Sequence, residues 1–260
     1  MFEYDATTTR ILEMPPYFFF TVIGVVFSTS LYILLLLKYD YDIPRYTKIF
    51  LISSGGLLIG ARLLGALSGL YKALAGGESI TMGTFLNTGI VFYGGLIGFV
   101  LTFLLICKMW NKGVDCGMLD LVAVCIPLFH AFARVGCFFA GCCYGIETDS
   151  WFSVLYTNHV NHEVFTALRL PIQLAEAVAS VVIFVVLLLL LFKNKLKYHL
   201  LKVYLLIYAI MRIALELFRG DEARGVWNGI SFSQIVSALI ICICVGLITK
   251  SQRREKYEVH

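Results

Sequence analysis

Residues 119–145 read LDLVAVCIPLFHAFARVGCFFAGCCYG, and the solvent around them decides the fold. The first eleven residues are nearly all apolar. A histidine, an arginine and three cysteines then follow within sixteen positions. In water such a run is a core helix with its arginine at the surface. In a lipid bilayer the same arginine is costly and is usually kept for a function.

Composition selects the bilayer. Apolar residues make up 59% of the 260 and charged residues 15%, with a mean hydropathy of +0.84. A globular domain carries about a quarter charged residues. Seven segments, roughly 16–37, 48–70, 88–109, 117–140, 171–192, 200–218 and 230–249, approach the ~20 apolar residues that cross a hydrocarbon core of ~30 Å. The expected fold is all-α: a polytopic membrane protein of about seven transmembrane helices, forming a single domain over residues 1–260. The second and third segments are glycine-rich (SSGGLLIGARLLGALSG, then YGGLIG), and small residues let membrane helices approach closely. No cleavable signal peptide is expected. The first apolar run is long, and the residues ahead of it, MFEYDATTTRILE, are acid-rich rather than basic.

Charge sets the expected orientation. With the C-terminus on the cytoplasmic side, thirteen Lys and Arg residues of the loops and tail lie inside and five outside. The positive-inside rule therefore favours an outer N-terminus and a cytoplasmic C-terminus. The net charge of +4 is thus mostly a topology signal. No soluble domain offers the basic face that nucleic acid requires. One outer connection, 141–170, is long enough to suggest a functional loop.

The polar residues of the spans fall at one level. Arg62, Arg134 and Arg212 lie about eight, six and six residues from the outer ends of three different spans, which places them roughly 9–12 Å below the outer boundary. Tyr93, Gln173, Glu176 and Gln234 open outer span ends nearby. Glu216 and Arg219 share a face with Arg212 at i+4 and i+7. Each arginine has a bland reading, snorkelling to the headgroups, and Arg212–Glu216 has one as a structural pair. A cationic cluster open to one leaflet instead favours an anionic ligand, and arginine is shaped to grip phosphate bidentately. The ligand expected on these grounds is a phospholipid headgroup in the outer leaflet.

Eight cysteines are present. Cys107, Cys116, Cys125, Cys242 and Cys244 read as small packing residues. Cys137, Cys142 and Cys143 cluster, and three readings stand open for them: structural, with one disulfide through Cys137; metal-binding with His130, His159 or His162; and redox-active thiols. Their C-x4-CC spacing fits no usual zinc pattern, and no metal or other cofactor is expected. His130 reads by default as a hydrogen-bonded core histidine, with a catalytic role as the sharper alternative. His159 and His162 read as solvated loop residues.

The chain resembles the prolipoprotein diacylglyceryl transferase family. IGARLLG (59–65) is similar to that family's G-A-R-L-G element, and FYGGLIG (92–98) to its H-G-G-L-I-G element. ARVGCFFAGCCYG (133–145) resembles the signature G-R-x-G-N-F-x-N-G-E-x-x-G. PIQLAE (171–176) resembles P-S-Q-L-Y-E, MRIALELFRGDE (211–222) resembles R-F-x-x-E-x-F-R-x-P-D, and SFSQIVS (231–237) resembles S-x-G-Q-x-x-S. Six elements in order, across most of the chain, make the likeness fairly specific.

The resemblance implies a reaction: transfer of a diacylglyceryl group from phosphatidylglycerol to the lipobox cysteine of a prolipoprotein, with glycerol 1-phosphate leaving. It implies a multi-pass protein of the bacterial cytoplasmic membrane, its site facing the outer leaflet, whose partners are phosphatidylglycerol, lipobox peptides and membrane lipid. Arg134, Arg212 and Tyr93 are the expected catalytic residues. Arg62, Gly94, Gly95, Gly136, Cys137, Gly141, Gly145, Gln173, Glu176, Glu216, Arg219 and Gln234 are the expected substrate-binding residues.

The chain also departs from the pattern. Tyr93 stands where the family usually has histidine, and a phenol, ionising near pH 10, is a hydrogen-bonding group rather than a base at neutral pH. Cys137, Ala140 and Cys142 stand where the signature has Asn, Asn and Glu. The alternatives to a transferase are a membrane thiol oxidoreductase using the cysteine cluster and a lipid-binding or transport protein. Polar groups crowding one side of the membrane argue against transport, which needs them along the full depth.

Overall fold

A computed structural model describes residues 2–5, 11–76, 81, 91–111, 116–160, 163–220, 226–227 and 229–258. Its helices are α1 (Pro16–Lys38), α2 (Ile43–Gly76), α3 (Phe92–Asn111), α4 (Cys116–Phe139), α5 (Ile172–Phe192), α6 (Leu200–Glu216) and α7 (Phe232–Glu258). Five of these, α1 to α5, are long and apolar enough to cross a membrane. The sixth has 17 residues, and the apolar part of the seventh spans Phe232–Gly246. The helical class expected from the sequence therefore describes the bulk of the chain.

Strands are an addition to that expectation. The 141–170 connection, read from sequence as a loop, contains β2 (Val154–Val160) and β3 (Glu163–Arg169), paired antiparallel from Val154↔Arg169 to Val160↔Glu163. A third strand, β1 (Phe2–Asp5), joins β2 in parallel. Alternation explains the hairpin: Val154 and Tyr156 are buried and pack with Phe138 at the end of α4, while Leu155 between them is only partly buried. The side chain of His159 and the whole of His162, weighed above as metal ligands, lie outside the described residues. A short hairpin of β4 (Val226–Trp227) and β5 (Ile230–Ser231) precedes α7, with Gly229 at φ +78° in its tight connection.

The chain divides into two compact units. One contains residues 33–118 and 224–236, and its centre is the α2–α3 pair. Gly56 and Gly60 face Gly94 and Gly98 so closely that a Cβ on Gly60 would overlap the carbonyl oxygen of Gly94, and the reverse. Two backbones meet directly there, as small residues in membrane helices permit. Asp42 caps α2, its Oδ1 accepting from the Arg45 N–H at 3.1 Å. Phe50 packs edge-on against Phe99, with ring centroids 5.2 Å apart.

The other unit contains residues 1–32, 119–223 and 237–260. Within it α1 packs on α4 where Gly136 lies against Tyr17 and Phe20, and Phe20 stacks on Phe139 at 5.2 Å. Asp120, near the start of α4 and buried, accepts hydrogen bonds from the backbone N–H groups of Tyr198 and Leu200. His199 offers no side-chain cap of its own, so Asp120 supplies the acceptor that the opening turn of α6 needs.

The faces of α5 are reversed relative to a water-soluble helix. Gln173, Glu176 and Ser180 are buried, whereas Val178, Val182, Val185 and Leu189 are exposed in an i, i+4, i+7, i+11 stripe. Burying the polar face and displaying the apolar one is the arrangement a hydrocarbon solvent selects.

Candidate active site

Helix α4 builds the first wall of the site. His130, Arg134 and Cys137 are spaced i, i+4, i+7 and lie on one buried face. Arg134 Nε lies 3.1 Å from His130 Nε2, and one of its terminal nitrogens, Nη2, lies 3.0 Å from Glu176 Oε1 on α5. The same Glu176 oxygen is 3.1 Å from His130 Nε2. That nitrogen cannot accept from Arg134 and donate to Glu176 at once, so the imidazole tautomer chooses between the two partners. The His130 ring also meets Tyr208 of α6 edge-on at 5.1 Å.

Helix α6 supplies the second cation. Arg212 Nη2 lies 2.9 Å from Glu216 Oε2, one turn further along the helix, and Nη1 lies 3.5 Å from Glu176 Oε2. Glu176 thus holds Arg134 through one oxygen and Arg212 through the other. All four groups are almost fully buried: 9% of Arg134 is exposed, 6% of Arg212, 2% of Glu176 and 3% of Glu216. Arg219, 7% exposed, follows three residues after Glu216. The guanidinium groups outnumber the carboxylates by three to two, a balance that favours an anionic ligand. Beyond this ion pair with Glu176, Arg212 Nη1 makes no hydrogen bond among the described residues. It therefore has donor capacity to offer a ligand.

The turn after α4 completes this wall. Cys142 N–H donates to Cys137 C=O at 3.2 Å and Gly141 N–H to Phe138 C=O at 3.1 Å, with Gly141 at φ +64°. This paired pattern is a Schellman cap. It reverses the chain and folds Cys142 and Cys143 back over Cys137. Gln173, fully buried, fixes the turn: its Nε2 donates to Cys142 C=O at 2.7 Å, and its Oε1 accepts from Tyr156 Oη at 3.3 Å. Gly145 is wedged between Leu170 and Phe218, where a Cβ would collide with both backbones. Its N–H donates to Leu170 C=O at 2.9 Å.

The three Sγ atoms of Cys137, Cys142 and Cys143 lie within 4.8 Å of one another, and all three thiols are free. Of the alternatives weighed for them, a disulfide through Cys137 is not formed. Arg134 Nη1 is 4.0 Å from Cys137 Sγ. Hydrogen bonding from Cys137, then from Cys142, with Arg134 and Arg219 nearby, holds the Cys143 thiol well below the usual range.

The expected site residues thus fall into two groups. Arg134, Gly136, Cys137, Gly141, Gly145, Gln173, Glu176, Arg212, Glu216 and Arg219 belong to one unit, and most of them meet in the network just described. The glycines among them serve helix packing (Gly136), chain reversal (Gly141) and close backbone approach (Gly145). Arg62, Tyr93, Gly94, Gly95 and Gln234 belong to the other unit. There Tyr93 is buried at the start of α3, Arg62 is exposed on α2, and Gly94 and Gly95 face α2. Gln234 closes a capping box on α7: its Oε1 accepts from Ser231 N–H at 2.9 Å, and its own N–H donates to Ser231 Oγ at 3.2 Å. His130 is the network member that the expected set left out. Its spacing of four from Arg134 is the signal that could have placed it there.

Residues 6–250 match the family model described as prolipoprotein diacylglyceryl transferase. A phosphatidylglycerol-prolipoprotein diacylglyceryl transferase of Clostridium tetani is 28% identical over 222 residues, covering 84% of this chain and 86% of the relative. A second such protein, from Clostridium perfringens, is 28% identical over 233 residues, 88% of each chain. One from Campylobacter curvus is 31% identical over 205 residues, 71% of this chain and 69% of its own.

Proposed function

The chain belongs to the prolipoprotein diacylglyceryl transferase family, and from that premise we propose that Arg134 and Arg212 are the phosphate clamp of its transfer reaction. It is a multi-pass membrane protein and a transferase of the first step of lipoprotein maturation, acting on phosphatidylglycerol and prolipoproteins. The observation that carries the clamp is the Arg134–Glu176–Arg212 bridge, a buried pair of guanidinium groups fixed by one carboxylate.

In the proposed step the lipobox cysteine sulfur attacks the glyceryl carbon that bears the phosphate oxygen. A C–S bond forms, the C–O bond breaks, and its electron pair leaves with glycerol 1-phosphate. The phosphodiester carries one negative charge and the departing monoester two, so charge builds where the guanidinium groups point. Cations held fixed in a water-poor site stabilise that charge without reorganisation. The thiol must lose its proton, because the thiolate is the nucleophile. The proton released matches the charge gained by the phosphate, so it departs with glycerol phosphate or to water.

Glu176 and Glu216 act in this reading by aiming the arginines, and Gln173 by fixing the turn beside them. The asymmetry of thirteen basic residues against five supports a site that opens to the outer leaflet.

The test is transfer itself. Purified protein in detergent, given phosphatidylglycerol and a lipobox peptide, is expected to add a diacylglyceryl group to the peptide cysteine by mass spectrometry. The adduct is expected to vanish in Arg134→Ala. An undiminished adduct in Arg134→Ala and Arg212→Ala, with both variants folded, overturns the clamp.

A further inference from the structure

We propose that Cys137, Cys142 and Cys143 form a binding site for a soft, three-coordinate d10 metal ion of the copper(I) type. The site is local. Cys137 comes from the last turn of α4, and the Schellman cap at Gly141 returns the chain so that the next two cysteines face it. Their sulfurs lie within 4.8 Å of one another. Three thiolates around a metal at about 2.3 Å stand roughly 4 Å apart, so closure needs only side-chain rotation.

Ligand type and number select the ion. Thiolates favour copper(I), zinc and iron–sulfur centres. Zinc holds a tetrahedron and requires a fourth ligand. No histidine or carboxylate joins the three sulfurs among the described residues. A trigonal all-sulfur set therefore suits a monovalent ion content with three donors. Charge agrees. Three thiolates and one monovalent cation leave two negative charges. Arg134, with Nη1 4.0 Å from Cys137 Sγ, stands beside them as a counter-ion. Any of the three thiols still protonated gives up its proton on coordination, and no electron is transferred.

The site does not depend on the transferase reading, because binding is measured without lipid or peptide. Full-length protein in detergent is titrated anaerobically with copper(I) buffered by bicinchoninate, and the retained metal is examined by X-ray absorption. The expected result is one ion per chain in a shell of three sulfurs. Ser in place of Cys137, Cys142 or Cys143, taken singly, is expected to return the ion to the chelator, while Cys107→Ser keeps it. Cys142 lies on the exposed side of the turn, so its variant retains the fold, which gel filtration checks. Copper left wholly with bicinchoninate overturns the proposal. So does copper retained by all three variants, or a zinc ion bound with a fourth, lighter ligand where copper(I) is not.

Discussion

Glu176 lies 3.0 Å from Arg134 and 3.5 Å from Arg212, so one buried carboxylate on α5 fixes two guanidinium groups from α4 and α6. Removing one partner of a buried ion pair strands the other charge, at about 3–5 kcal/mol. Glu176→Ala is therefore expected to lower the melting temperature sharply in detergent. Glu176→Gln keeps the volume and loses the charge. It is expected to fold while both arginines drift, and misplacement of about 1 Å costs roughly a hundredfold in rate. Transfer rates of folded Glu176→Gln check this, and a wild-type rate refutes the aiming role.

Arg134→Ala and Arg212→Ala are expected to lose at least about 10²–10³-fold in turnover, the range seen when one fixed donor to a developing anion is removed. Both proteins should still insert. Lysine at either position is expected to recover little, because a point charge on a flexible stem does not reproduce the planar fork. Steady-state transfer rates for the four variants decide it. Near-normal activity in Arg134→Lys removes the bidentate argument.

Much of this site was legible in the sequence because hydrocarbon makes polar residues conspicuous. Arg134, Glu176 and Arg212 stand out from apolar runs, and their common depth follows from counting at 1.5 Å per residue. What the count could not supply is pairing. Nothing in the spacing of Glu176 says that it bridges two arginines from other helices. His130 reads in the sequence as a core histidine, although a residue four before Arg134 shares its face. The C-x4-CC spacing fits no metal pattern as a string, and only the reversal at Gly141 brings the three sulfurs together. The β2–β3 hairpin is hard to read in the sequence because only Val154 and Tyr156 of its alternation reach the buried cluster with Phe138, too short a signal beside the long apolar spans.

Asp120 separates stability from chemistry. Its carboxylate accepts two backbone N–H groups at the start of α6, and it touches none of the groups in the arginine network. Asp120→Ala leaves those donors without a partner in a buried place, at about 1–3 kcal/mol. The expected variant melts earlier than wild type and turns over at an unchanged rate per folded molecule. A melting temperature equal to wild type refutes the cap.

The α2–α3 contact offers a paired test within one helix. At Gly60 a new Cβ meets the Gly94 carbonyl oxygen, a backbone atom that cannot rotate away, whereas at Gly55 a Cβ meets nothing within 4 Å. Gly60→Val must push the two helices apart, and overpacking of this kind costs typically about 1–3 kcal/mol. Gly55→Ala adds a methyl group in open space and removes the conformational freedom of a helix glycine, a gain of up to about 1 kcal/mol. The two changes are thus expected to move the melting temperature in opposite directions. Equal losses at both positions would mean that helix propensity, not the close approach of the two backbones, governs this pair.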